Sequence, residues 1–237
     1  MIKRVGERLT IVGVAHVLPR SQREVEDTIL KERPEIVGVE LCPTRFLLLT
    51  GGRKGAERTL RGGIQTSALN WLLYLVQKRV ALKTGMPAGE EMLTAVRSAR
   101  RVGSRLELID RDIRLTLQRL TERMGIREKI KLGLELLLGL LPFGTPVDIE
   151  RVTDEEVVRL LLSSLKKISP TSYEVLIRER DDYMARRIEG LLTESSGRII
   201  CVVGAGHVPG IYRRLSRRTG EGLPRPWSTT SFSWRYA

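Results

Sequence analysis

The two histidines of the chain are the residues best suited to chemistry, because they occupy two nearly identical phrases. His16 lies in Ile-Val-Gly-Val-Ala-His-Val (residues 11–17), and His207 lies in Val-Val-Gly-Ala-Gly-His-Val (residues 202–208). A neutral imidazole binds metal ions and exchanges protons near neutral pH, so the pair predicts a site built from two strand ends. Alone, either histidine would more often be a hydrogen-bonded structural residue. The prediction therefore rests on the shared phrase.

Four runs rich in β-branched residues predict the strands that position these groups. The runs are 8–13, 35–41, 105–109 and 198–203. Between the first two, a capping-box pattern at residues 21–24 opens a helix that ends before Pro34. Strand, helix and strand in this order form a βαβ unit, whose two strands are parallel. The sequence thus predicts an α/β fold with a mostly parallel central sheet flanked by helices.

Polar groups follow these strands at the edge where an open parallel sheet binds its ligands. They are His16, Glu40, Asp110 with Arg111, and His207. Two imidazoles and a carboxylate form a ligand set that suits a catalytic divalent ion with positions open for water and substrate. Gly13 and Gly204, each three residues before a histidine, are expected to let the backbone turn sharply off the strand.

Other roles for the same residues are open at this point. Glu40 can instead cap a helix or pair with Arg45, and residues 110–112 can form a surface ion-pair turn of little energetic weight. Cys42, two residues after Glu40, is expected to be buried in apolar surroundings.

The middle of the chain has the spacing of helices rather than strands. Apolar residues recur at intervals of three and four over 68–82, 89–99 and 113–141, and two further helices begin near Thr153 and Thr171, the second running to Gly190. Residues 117–165 are rich in leucine and predict a helical insert or lid. Beyond about residue 220 the chain looks irregular. We expect one α/β domain over residues 1–237.

The charge of the chain favours anionic partners. Lysine and arginine total 41 against 28 acidic residues, a formal net charge of +13. Acidic lipid headgroups at a membrane surface and phosphorylated ligands are both compatible with this charge, as is a basic face that only contacts solvent. No specific nucleic acid is expected, because the arginine clusters lack interleaved aromatics and any known module. The leucines of the middle segment predict a homodimer, or else fill the core of one chain.

Composition also indicates the cellular compartment of the protein. The chain has two cysteines, far apart in sequence, no apolar leader and no apolar run long enough to cross a membrane, so we expect a cytoplasmic protein. The scarcity of asparagine and glutamine is typical of proteins from thermophiles.

At these residues the sequence resembles the TraB family, which is grouped with Tiki and erythromycin-esterase-like proteins by two Gly-x-x-His motifs. The matching stretches are Gly13-Val14-Ala15-His16, residues 39–42 with Arg45, residues 87–92, residues 109–113 with Thr116, Leu117 and Arg119, residues 179–181 with Met184, and Gly204-Ala205-Gly206-His207. They occur in the expected order along nearly the whole chain.

The resemblance implies hydrolysis at the glycine-histidine site. Tiki proteins are metal-dependent proteases, erythromycin esterases open a lactone, and TraB proteins are linked to the shutdown of peptide pheromones. It implies that His16 and His207 hold a divalent ion such as Mn, Co or Zn, with Glu40 as third ligand or as base. Arg180, with Arg45 or Arg111, would stabilise an oxyanion or orient a substrate carboxylate near Asp110. Glu90 or Glu91 is a second candidate carboxylate.

Two functions follow as expectations. The first is a metal-dependent hydrolase of a peptide or small molecule, and the second is a binding module that sequesters a peptide or small anionic ligand without turnover. Similar sequences often carry a membrane-anchoring region after this domain. The present chain ends without one, and we expect a soluble form or an excised domain.

Overall fold

The computed structural model describes residues 1–14, 19–50, 89–131, 134 and 154–218. His16, the helix predicted over 68–82, most of the second half of the helix predicted over 113–141, the centre of the predicted insert and the tail from residue 220 lie outside the described residues. The described part of the insert is helical.

A five-stranded sheet forms the centre of the molecule. The strands are β1 (Ile2–Val5), β2 (Leu9–Val14), β3 (Ile36–Val39), β4 (Arg105–Leu108) and β5 (Ile199–Gly204). Their order is β1-β2-β5-β3-β4, and all neighbours are parallel except β1, which runs antiparallel to β2. The predicted α/β class is confirmed. The short edge strand β1 is an addition to the four strands that the sequence predicted.

The register of β5 with its neighbours aligns the strand ends that carry the polar groups. Val14 of β2 pairs with Gly204, and Val39 of β3 pairs with Val202. The ladder extends past β3, because the Glu40 amide donates to the Val202 carbonyl at 3.0 Å. The residues that follow β2, β3 and β5 therefore emerge at one edge.

Helices cover both faces of the sheet. They are α1 (Pro19–Glu32), α2 (Pro43–Thr50), α3 (Glu90–Val102), α4 (Ile113–Arg123), α5 (Asp154–Ile168), α6 (Pro170–Tyr173), α7 (Glu179–Glu194) and α8 (Val208–Arg218). Val25 and Ile29 of α1 pack with α3 on one face, and Met184 and Ile188 of α7 pack with α8 on the other. This three-layer arrangement buries β2, β3 and β5 almost completely, as a parallel sheet requires.

Two predicted helices differ from the structure. The helix expected over 113–141 is interrupted at Met124, whose backbone is extended and whose side chain is buried, and helical backbone resumes only at residue 126. The helix expected to begin near Thr171 and to run to Gly190 begins at Pro170, with Ser169 as its cap, forms one π-helical turn over Glu174–Arg178, and continues as α7 to Glu194. Such turns carry one extra residue and occur often at functional sites.

The leucine-rich segment leaves apolar side chains at the surface. Leu160 and Leu161 of α5 are exposed, as are Ile126, Ile130 and Leu134. The homodimer expected from these residues stays a prediction. Among the helices with described backbones, none combines the length and the apolar composition that crossing a membrane requires.

Gly13 provides a direct test of the packing between sheet and helix. A Cβ at Gly13 would lie 2.5 Å from Cγ2 of Val208, whereas a Cβ at Gly190 in α7 would meet nothing within 4 Å. Because the first site is overpacked by one methyl group, we expect Gly13→Ala to lower the free energy of unfolding by about 1–3 kcal/mol. Gly190→Ala, the control, should raise it by about 0.5–1 kcal/mol. Urea unfolding measures both, and equal effects would contradict this account.

Candidate functional site

Glu40 is the carboxylate around which the site is organised. It follows β3, is buried, and accepts a hydrogen bond at Oε2 from the Gly204 amide at 2.6 Å and one at Oε1 from Arg180 at 2.5 Å. Burial alone would raise the pKa of Glu40, but His207, Arg180 and the Gly204 N–H outweigh it and lower the pKa to about 2. The side chain is therefore ionised at neutral pH.

Close approach, and not a sharp turn, explains the glycines of the two phrases. A Cβ at Gly204 would lie 3.2 Å from Oε2 of Glu40, and the Cβ of any residue at Gly13 would collide with Val208. Neither glycine has a positive φ, and both lie within strands. The expectation that they turn the backbone sharply off the strand is corrected accordingly.

Arg180, in the first turn of α7, connects the ends of three strands. Its Nε and Nη2 donate to the two oxygens of Asp110 at 3.0 and 2.8 Å, and Nη2 also donates to Glu40. Its Nη1 donates to the Leu176 carbonyl at 3.2 Å and lies 3.1 Å from Nε2 of His207. These contacts occupy all five guanidinium N–H groups. Burial lowers the pKa of Arg180, but the two carboxylates raise it further, so the guanidinium stays charged.

His207 precedes α8 and is held at both ring nitrogens. Its Nδ1 lies 2.6 Å from Oδ1 of Asp181, and its Nε2 lies 3.4 Å from Oε1 of Glu40. Since the neighbouring guanidinium can only donate, Nε2 is the acceptor and the ring proton resides on Nδ1, where Asp181 accepts it.

Asp181 is the site residue that the sequence reasoning missed. Its side chain is buried beside His207, and a Cβ at Gly210 would lie 1.8 Å from its Oδ2, so α8 reserves the space for this carboxylate. Burial raises the pKa of Asp181, while the hydrogen bond and charge of His207 oppose that shift. The sequence feature that could have identified Asp181 is its position directly after Arg180. Two neighbouring residues of a helix point in different directions and can contact two different partners.

Arg111 and Asp112 form hydrogen bonds with the elements around the site. Arg111 is buried and donates to Thr116 at 3.1 Å, to Glu179 at 2.7 Å and to the Val175 carbonyl at 3.1 Å, so its guanidinium is directed toward α7 and not toward Glu40. Asp112 caps α4 and accepts from Thr44 at 2.9 Å. Residues 110–112 thus have three separate structural roles, and the alternative of a simple surface ion-pair turn does not describe them.

The remaining predicted residues are distributed around this centre. Arg45 is partly exposed, and its guanidinium lies 3.9 Å from Oδ2 of Asp110. Glu90 pairs with Arg97 at 2.8 Å on the surface of α3, and Glu91 is buried in the first turn of that helix. Cys42 is buried, as expected.

Two of the three expected metal ligands, His207 and Glu40, lie side by side at the sheet edge. No group of three or more His, Cys, Asp or Glu side chains that could hold an ion occurs within the described ranges. His16, the third expected ligand beside His207 and Glu40, lies outside them.

Comparison with known proteins covers most of the chain. The model of the TraB/PrgY/gumN family matches residues 1–221. A protein of Methanocaldococcus jannaschii is 38% identical over 219 residues, which are 87% of this chain and 53% of that protein. The TraB domain-containing proteins of Homo sapiens and Mus musculus are each 28% identical, over 91% of this chain and 65% of their own length. The chain thus spans about half to two thirds of the length of these relatives.

Glu179 allows the arginine network beside the site to be tested by pH. Its carboxylate accepts from Arg119 and Arg111 and pairs with Arg123, and hydrogen bonds from Arg119 and Arg111 lower its pKa from 4.5 to about 2 against the effect of burial. A lowered pKa means that the stabilisation is complete above about pH 5 and is lost as the pH falls toward 2. We expect Glu179→Gln to lower the free energy of unfolding by about 1–2 kcal/mol at pH 7. The effect is limited to this size because solvent screens the exposed arginines.

The measurement is urea unfolding of wild type and variant from pH 7 to pH 3. The difference in unfolding free energy should stay constant between pH 7 and about pH 5 and shrink as the pH falls from 5 to 3. Glu122→Gln, which removes an exposed carboxylate of α4 that accepts from Gln118, is the matched control and should change stability little. A difference that stays constant down to pH 3 would contradict the proposed pairing.

Proposed function

The chain belongs to the TraB/PrgY/gumN family, and from that membership and the geometry above we propose that it is a metal-dependent hydrolase acting at the carboxyl edge of its sheet. The substrate is a peptide or an ester-like small molecule. One observation carries the proposal: the imidazole of His207 is fixed by Asp181 at Nδ1, and its Nε2 lies 3.4 Å from Oε1 of Glu40. Ligating and catalytic histidines share this arrangement.

The pKa of Glu40 helps to decide between its two suggested roles. A general base works best when its pKa lies near the working pH, and a carboxylate with a pKa of about 2 is a weak base at neutral pH. A permanently ionised carboxylate is well suited to bind a cation. We therefore assign Glu40 as a ligand and not as the residue that removes a proton from water.

The two arginines nearest the site have different capacities. Arg180 has no N–H group left for a substrate, so it positions Glu40, Asp110 and His207. Arg45 is 30% exposed, and among the residues that the structure describes its guanidinium pairs only with Asp110, at 3.9 Å. We assign Arg45 as the group that stabilises the oxyanion or orients a substrate carboxylate.

The donor set supports a weakly held divalent ion. Nε2 of His207 and Oε1 of Glu40 lie 3.4 Å apart, a separation compatible with two ligands of one ion at about 2.0–2.2 Å each. With His16 as the third ligand, these residues would hold Mn, Co or Zn. A bound ion would supply Lewis-acid activation of water and of the scissile carbonyl. Arg180 contacts both donors and competes for their lone pairs, so affinity should be modest.

A binding module without turnover is the second candidate function. The specific observation in its favour is that every N–H of Arg180 is paired with a group of the protein. The arginine at the centre of the site therefore has no donor left for a reacting substrate. A chain of this kind would bind a peptide or small anion through Arg45. Metal binding that depends on the two histidines, together with turnover, separates the hydrolase from this candidate.

Metal binding can be measured without knowing the substrate. We expect the metal-free protein to bind Mn, Co or Zn in isothermal titration calorimetry, and His16→Ala with His207→Ala to abolish that binding. Glu40→Gln should weaken it at least tenfold. Asp112→Asn, which alters a nearby carboxylate outside the ligand set, is the control and should bind like wild type. Unchanged metal binding by the double histidine variant, with a native circular dichroism spectrum, would refute the metal site.

Asp181→Asn tests the orientation of His207. The change removes the negative charge that holds the proton on Nδ1, so we expect metal affinity to fall about 10- to 100-fold. Asp182→Asn is the matched control, because that neighbouring carboxylate pairs with Arg214 and not with the imidazole. If both variants bind metal equally well, Asp181 does not position the ligand.

A further inference from the structure

A large groove lies behind His207, on the side of the imidazole opposite to Glu40. Its walls are α5, α6, the π-helical turn, the start of α7, and α8, and its volume is about 1390 Å³. Asp181 and Gly206 line its inner end. Neither Glu40 nor Arg180 lines it, so the groove adjoins the site through Asp181 but is a separate surface.

Positive charge dominates the groove. Arg159, Lys166, Arg213 and Arg217 line it, and none of them has a carboxylate partner among the residues that the structure describes. Lys166 lies 5.7 Å from the centre of the Tyr173 ring, which also lines the groove. The three acidic lining residues are already paired: Glu174 with Arg178, Asp182 with Arg214, and Asp181 with His207.

An apolar strip runs through the same groove. Val158 and Leu162 of α5 face it together with Ile177 and with Val208 at the start of α8. Mixed apolar and cationic walls suit a ligand that carries apolar groups between negative charges. The volume exceeds the range of roughly 300–1,000 Å³ that small-molecule sites usually occupy.

We propose that this groove binds an extended acidic polypeptide segment, whose carboxylates pair with Arg159, Arg213 and Arg217 while its apolar side chains cover the strip. A nucleic acid fits less well, because its sugar-phosphate backbone has no apolar side chains to cover the strip formed by Val158, Leu162, Ile177 and Val208. The bound segment lies on the Nδ1 side of His207. It is thus held at an accessory surface and not at the proposed reaction centre, and the inference does not depend on hydrolysis.

The test is fluorescence anisotropy with a labelled peptide in which glutamate alternates with leucine. EDTA is present, so that no metal-dependent cleavage contributes. We expect binding that weakens as salt screens the charges. Arg213→Ser with Arg217→Ser should weaken it roughly fivefold or more, since each ion pair contributes modestly. Both side chains are exposed on α8, so the fold should be retained.

The control variant is Arg100→Ser with Arg186→Ser, which removes the same charge from exposed positions outside the groove. It should weaken binding less than about twofold. Equal weakening by the two double variants, or equal affinity for a peptide with lysine in place of glutamate, would overturn the proposal. Tighter binding of oligothymidylate, lost in the groove variant, would assign the groove to nucleic acid instead.

Failure of this proposal is distinguishable from failure of the hydrolase proposal. The groove variant should bind metal like wild type, because its substitutions lie outside the ligand set. The double histidine variant should in turn bind the acidic peptide like wild type.

Discussion

The guanidinium of Arg180 is the interaction on which the arrangement of the site depends. Burying a carboxylate without a partner costs several kcal/mol, and two carboxylates, Glu40 and Asp110, are buried at neighbouring strand ends. Arg180 donates to both carboxylates through one planar group and lies within hydrogen-bond distance of His207 as well. Because it belongs to α7, the site is complete only when that helix is docked on the sheet. The Glu179 network, which connects α7 to α4 through Arg111 and Arg119, contributes to that docking.

The first turn of α7, which follows the π-helical turn, contacts three different parts of the structure. Glu179, Arg180 and Asp181 follow the turn consecutively and contact α4, the sheet edge and His207 respectively. Regular helix periodicity places adjacent residues about 100° apart, so three neighbours can reach three partners only if the helix is surrounded by structure. α7 meets this condition, since α4, α8 and the strand ends all lie against its first turn.

The fold and the convergence of Glu40, Asp110 and His207 could be predicted from the sequence, because parallel strands bring their carboxyl ends to one edge. Arg180 came from the resemblance alone, and Asp181 was not assigned. Both lie on a helix whose register is shifted by a π-helical turn, and periodic patterns do not reveal such a turn. Arg111 follows a strand directly, yet its guanidinium turns to Glu179. The direction of a long side chain depends on partners distant in sequence, which a local pattern cannot specify.

Asp181 joins two surfaces of opposite charge. On one side lie Glu40 and Asp110, and on the other lies a groove in which cations outnumber carboxylates. Burial raises the pKa of Asp181, and a neutral Asp181 would be a weaker acceptor than the carboxylate for the N–H at Nδ1 of His207. The charges of Arg214 and Arg180 oppose this effect and favour the ionised carboxylate. Arg214, which lines the groove, therefore helps to keep Asp181 a strong acceptor for the N–H at Nδ1 of His207.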